Sequence, residues 1–170
     1  MDQIDLSQTD LNPNQILQIQ SEVNGTTYID TGEIRNFTNG LNYPLYYLDF
    51  ETIGPAVPKY NGSRPYQQLV FQYSLHIQET STSELEHREY LADPSQDPRI
   101  GFIEQLLQVC GTSGDILVYN IGFERGKLND LIEVFPEYSN ELRGIVNRLK
   151  DLMIPFQQKW YYTPEMRGSY

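Results

Sequence analysis

The chain has 170 residues, 12 Lys plus Arg against 23 Asp plus Glu, a formal net charge of −11, and 39% hydrophobic residues. That is enough apolar material for a packed core and too little charge for disorder, and the acidity argues against non-specific binding of the whole surface to nucleic acid or anionic membrane. A single cysteine, Cys110, excludes an internal disulfide and any multi-thiolate metal site; with no basic, apolar leader and no uncharged apolar run of roughly 18 residues, the expectation is a cytoplasmic protein with no membrane contact.

Residues 1–40 are acid-rich and lack a long apolar run, so they read as an arm or as the tail of an upstream domain. One docked helix is expected there: Asn12 caps it, Pro13 takes the first helical position, and Ile16, Leu17, Ile19 and Val23 form a stripe that ends at Gly25. Residues 41–170 form the main domain. Leu45, Tyr46, Tyr47 and Leu48 are a strand buried on both faces that ends at the polar Asp49. After a loop rich in Gly and Pro, residues 69–78 alternate apolar and polar side chains, and residues 85–91 fit a charged hairpin partner at a sheet edge. Asp97 and Pro98 open a helix whose apolar face is Ile100, Ile103, Leu106, Leu107 and Cys110, and Gly111 closes it. Residues 115–120 are a second buried strand, parallel to its neighbour, followed by two helical patterns separated by Pro136 and a short last strand at 151–154. Three antiparallel strands followed by alternating helix and parallel strand describe a mixed α/β sheet, with the element order of the ribonuclease H-like fold.

Acids are depleted in strands, yet Asp49 and Glu51 stand at the end of a buried one, and their i, i+2 spacing puts both carboxylates on one face. Two such charges repel unless a cation stabilises them, and a hard divalent ion such as Mg²⁺ or Mn²⁺ matches oxygen ligands. The plainer reading, a strand that has reached solvent, carries equal weight. Glu124 falls in the first turn of a helix that follows Asn120; the spacing of four misses the three of a capping box, so a purely local role fits poorly. Tyr60, Arg64 and Tyr66 either grip a nucleotide or pack on one another. Arg125, Lys127, Arg143, Arg148 and Lys150 form either a phosphate-facing strip or a solvated surface. His76, His87 and Cys110 read as structural.

Leu48-Asp49-Phe50-Glu51-Thr52 resembles the first motif of the DEDD, proofreading-type 3′ to 5′ exonuclease superfamily, an apolar strand ending in Asp-x-Glu. Asn120-x-x-Phe123-Glu124 resembles its second motif, Asn-x-x-Phe-Asp, with Glu replacing Asp, and the interval of roughly 70 residues also agrees. Over residues 43–170, including Arg64-Pro65-Tyr66-Gln67-Gln68, Phe71-Gln72-Tyr73-Ser74 and Gly168-Ser169-Tyr170, the chain is similar to an uncharacterised bacterial domain family assigned to that fold. The resemblance implies two-metal phosphodiester hydrolysis with Mg²⁺ or Mn²⁺ at the 3′ end of single-stranded DNA or RNA. Asp49 would bridge both ions, Glu51 would hold one and Glu124 the other, and Thr52, Tyr60, Arg64, Tyr66, Asn120 and Arg125 would contact the strand. Asp151-Leu152 resembles the superfamily's intermediate Asp-Thr-Leu strand, but the third motif, a fourth carboxylate with a Tyr or His base, has no counterpart before Tyr170, so the expectation is a domain incomplete at its C-terminus and weak or inactive alone. Two alternatives stand beside this: a catalytically silent nucleic-acid- or protein-binding module of the same fold, and a haloacid-dehalogenase-like phosphatase, whose Asp-x-Asp-x-Thr motif would here carry Glu51 for its second Asp.

Overall fold

The computed structural model describes residues 10–166. In chain order its elements are α1 (Pro13–Asn24), β1 (Tyr28–Ile29), α2 (Thr31–Asn39), β2 (Leu45–Ile53), β3 (Leu69–Gln78), β4 (Glu86–Leu91), α3 (Pro98–Val109), β5 (Asp115–Val118), α4 (Ile121–Val134), α5 (Ser139–Arg148), β6 (Leu149–Asp151), α6 (Ile154–Gln157) and β7 (Tyr161–Tyr162). They fall into two compact units, residues 10–40 with 153–166, and residues 41–152.

In the first unit, Asn12 caps α1 as its sequence predicts, through a reciprocal box. Gln15 N donates to Asn12 Oδ1 at 3.0 Å and Asn12 N to Gln15 Oε1 at 2.9 Å. Gly25, at φ 62°, lets the chain leave the helix in the left-handed conformation. Asp30 caps α2, a helix the sequence pattern did not announce, by accepting from Glu33 N at 3.0 Å. β1 finds its partner in β7, antiparallel, and the Tyr162 hydroxyl donates to Glu22 Oε1 at 3.0 Å. The units divide at residue 40, and residues 153–166 group with the N-terminal elements.

The second unit is a five-stranded mixed sheet in the order β4-β3-β2-β5-β6, antiparallel on the β4–β3–β2 side and parallel across β2–β5–β6. The expected mixed α/β class is what forms. Leu48, Phe50, Tyr73 and Leu75 from the sheet bury against Phe102, Ile103 and Leu106 of α3, Leu128 and Leu131 of α4, and Leu142 and Ile145 of α5. Phe50 and Phe102 meet edge to face at 5.0 Å. Gly114, at φ 82°, carries the chain into β5, where a side chain would run into the Pro44 carbonyl. The predicted strand at 151–154 is corrected to Leu149–Asp151: α5 passes into β6 without a loop, Leu152 N donates to Val118 O at 2.8 Å, and Pro155 then sits in the first turn of α6. No helix among the described residues is long and apolar enough to cross a membrane.

Candidate active site

β2 runs parallel to β5 in the register Tyr46↔Ile116 and Tyr47↔Leu117, and β5 to β6 with Val118↔Asp151. β5 stops at Val118, but β2 continues to Ile53 against β3, pairing Asp49 with Ser74 and Glu51 with Gln72. Asp49 and Glu51 therefore lie inside a paired strand, not beyond its end, which corrects the sequence expectation. They alternate with the buried Phe50 and are both exposed on the opposite face. A bulge follows between Glu51 and Thr52, and Thr52 is half-buried.

Beyond β5 the chain turns into α4 through Asn120, at φ 69° and ψ 68°, a left-handed conformation that asparagine tolerates better than most residues. Its side chain makes no capping hydrogen bond. The cap comes from the neighbouring strand: Asp151 accepts from Asn120 N through Oδ1 at 3.1 Å and from Ile121 N through Oδ2 at 3.2 Å. One turn into α4, Glu124 is only 2% exposed, and its Oε2 has no hydrogen-bond partner. Burial pushes its carboxyl up to about 7; the charges of Asp49 and Asp151 push the same way, against a lowering by its own backbone N–H.

Asp49 and Glu124, 75 positions apart in sequence, are thus brought within electrostatic reach, with Asp151 beside them and Glu51 two residues along the Asp49 face. As the side chains stand, no three His, Cys, Asp or Glu among the described residues form a group that could hold a metal ion. The donor chemistry nevertheless fits Mg²⁺ or Mn²⁺. Such ions are bound through one or two carboxylates together with waters and substrate phosphates, and carboxylates without a cation repel one another. The buried, orphaned Oε2 of Glu124 is the atom a cation would satisfy.

The remaining predicted residues divide into committed and exposed. The Arg99 guanidinium lies 5.8 Å from the Tyr60 ring and donates to Asn61 O at 2.9 Å, so Tyr60 is part of loop packing. Arg64 and Tyr66 side chains are exposed on that loop, while their backbone amides are held by Gln67 Oε1 and Pro55 O. Arg125 is exposed on α4. The expected phosphate-facing strip is partly committed: Lys127 pairs with Asp130 at 2.8 Å, Lys150 lies 3.9 Å from Asp115, and Arg148 donates to the carbonyls of Cys110, Gly111 and Ser113 after α3, while Arg143, like Arg125, is exposed. His76 and His87 stack across β3 and β4 at 4.5 Å, consistent with a structural role.

Sequence reasoning missed one residue and the role of another. Arg99, 2% exposed and clamped by Asp97 at 2.6 and 2.9 Å, is legible only as an Arg two positions after a helix cap. Asp151 stands out in the sequence through the motif resemblance of Asp151-Leu152, but nothing there announces that it caps α4.

Two curated relatives are similar to the chain. The chain is 28% identical to Uncharacterized protein MG366 of Mycoplasma genitalium over 128 residues, 71% of this chain and 19% of that protein. It is 28% identical to Uncharacterized protein UU173 of Ureaplasma parvum over 135 residues, 73% of this chain and 19% of that protein. The chain therefore spans about a fifth of the length of these relatives. No solved structure matches it. The model of a family described as a domain of unknown function, DUF2779, matches residues 46–170, a stretch that holds Asp49, Glu51, Glu124 and Asp151, and the chain belongs to that family.

Proposed function

We propose that the chain carries a divalent-cation-dependent, 3′ to 5′ exonuclease-type domain of ribonuclease H-like fold that hydrolyses phosphodiester bonds in single-stranded DNA or RNA. One observation carries this reading: Glu124 is buried at a helix entry with an unpartnered oxygen, and the Asp49 charge acts on it. Asp49 lies just past the parallel β2–β5 pairing, which ends at Tyr47, and Glu124 in the first turn of the helix that follows β5, on the side where α/β sheets form their ligand crevices. An acid kept only for the fold would be expected to have both oxygens hydrogen-bonded. The sheet supports the reading too, since three antiparallel strands followed by two parallel ones with intervening helices is the arrangement the motif resemblance implies.

Asp49, Glu51 and Glu124 are the residues that would hold Mg²⁺ or Mn²⁺. When bound, such ions supply an activated water and stabilise charge on the attacking and leaving oxygens. Glu124 must give up its proton to serve. Thr52, Asn120, Arg64, Tyr66 and Arg125 are the groups that remain available to a nucleic-acid strand, whereas Tyr60 shapes the loop that carries two of them.

The test is digestion of 3′-labelled single-stranded DNA and RNA with Mn²⁺ by the chain and by Asp49→Asn. Weak release of label from the 3′ end by the parent, as suits a site without its third motif, and loss of that release in the variant are expected. The absence of a ready three-ligand group among the described residues favours a second reading, a silent binding module of the same fold. That reading predicts strands that are retained by the protein and stay intact at saturating Mn²⁺.

A further inference from the structure

We propose that Asp151 is a positioning residue of this site, whose carboxylate holds the entry turn of α4 and thereby aims Glu124 at Asp49. The inference rests on the reading of Asp49, Glu51 and Glu124 as cation ligands. An ordinary cap is supplied by the residue that immediately precedes the helix. Here that residue is Asn120, it is left-handed, and its side chain does not cap. The acceptor comes instead from 31 and 30 positions away, with one oxygen of Asp151 on each of the two N–H groups. Asp151 is itself fixed by the β5–β6 register opposite Val118, the last residue of β5. The carboxylate thus ties the start of α4 to the sheet that carries Asp49.

Glu124 follows Ile121 by three residues, so any drift of the entry turn is passed to its carboxyl group within one helical turn. Both Asp151 oxygens are already accepting from backbone, which suits a supporting group better than a ligand. Partners that orient metal-binding side chains typically change metal affinity 10- to 100-fold when removed.

The experiment compares the parent chain with Asp151→Ala, Asp151→Asn and Asp49→Asn. Mn²⁺ affinity is measured from the electron paramagnetic resonance of the free ion at pH 8, at a temperature where all variants are folded. The amide signals of Asn120 and Ile121 are followed by hydrogen exchange in the same samples. Asp151→Ala is expected to bind Mn²⁺ at least tenfold more weakly, with both amides losing protection. Asp151→Asn, which keeps one acceptor oxygen, is expected to fall between and serves as the readout if the alanine variant does not fold. Parent-like Mn²⁺ affinity in a folded Asp151→Ala would overturn the proposal and leave an ordinary cap. If the parent binds no more Mn²⁺ than Asp49→Asn, the cation reading itself fails. The clamp is then judged by the amides and by the Glu124 side-chain resonance: a change in both on Asp151→Ala upholds it, and no change overturns it.

Discussion

Glu124 has its carboxyl raised from an ordinary 4.5 to about 7, first by burial and then by Asp49 and Asp151. The folded state therefore holds a proton that the unfolded state has released across that interval, so this group's contribution to stability declines as pH rises from about 4.5 to about 7. Glu124→Gln, which cannot ionise, should gain on the order of 3 kcal/mol over the parent at pH 8 and match it near pH 4.5, read from urea midpoints at the two pH values. Asp49→Asn tests the cation side of the same cluster. A ligand bound only by the folded state adds about 1.4 kcal/mol at ten times its Kd. A melting shift of that size with Mn²⁺ is expected in the parent and should vanish in the variant; an undiminished shift would put the cation elsewhere. Asp49, Glu51 and Glu124 were readable from the sequence because acids beside buried apolar runs break a local rule. The capping of α4 by Asp151 was not, because it depends on the β5–β6 register and on two amides some thirty residues away.

Arg148 shows how an element can be held at its end by a side chain from elsewhere. It donates to the carbonyls of Cys110, Gly111 and Ser113 after α3 and lies over the Tyr46 ring at 5.6 Å, which removes it from any phosphate-binding role. Arg148→Ala leaves several carbonyls without a charged donor and is expected to cost about 2–3 kcal/mol in chemical denaturation. Arg99 does comparable work for the 54–68 loop, through Asn61 O and the Tyr60 ring. The length of β2 was misjudged for a related reason. Alternation marks Asp49 and Glu51 as polar, but whether a polar pair ends a strand or continues it depends on the partner, and β3 extends the pairing to Ile53↔Leu69. The α5–β6 junction escaped detection because no Gly or Pro separates Arg148 from Leu149.

At the scale of the whole molecule, the grouping of residues 153–166 with 10–40 depends on β1 and β7, strands of two residues each that leave no periodic signal. Cys110 offers a probe of the sheet unit as a whole. Burial pushes its thiol up to about 12 against a lowering by Arg148, and the side chain is fully enclosed. Disulfide-exchange reagents at pH 8 are therefore expected to label it only through large-scale opening, with a rate that climbs with urea in step with unfolding. The sheet order has a further consequence for how the chain assembles. β3 reaches β2, and β4 reaches β3, across short stretches of chain, whereas Leu45 meets Asp115 only after an interval of about 70 residues is closed, a step whose entropic cost precedes its contacts. The meeting of Asp49 with Glu124 waits on that closure. On refolding, pulse-labelled amides of β2 and β3 are expected to gain protection before those of β5 and β6, and affinity for Mn²⁺ should return only with the later pair.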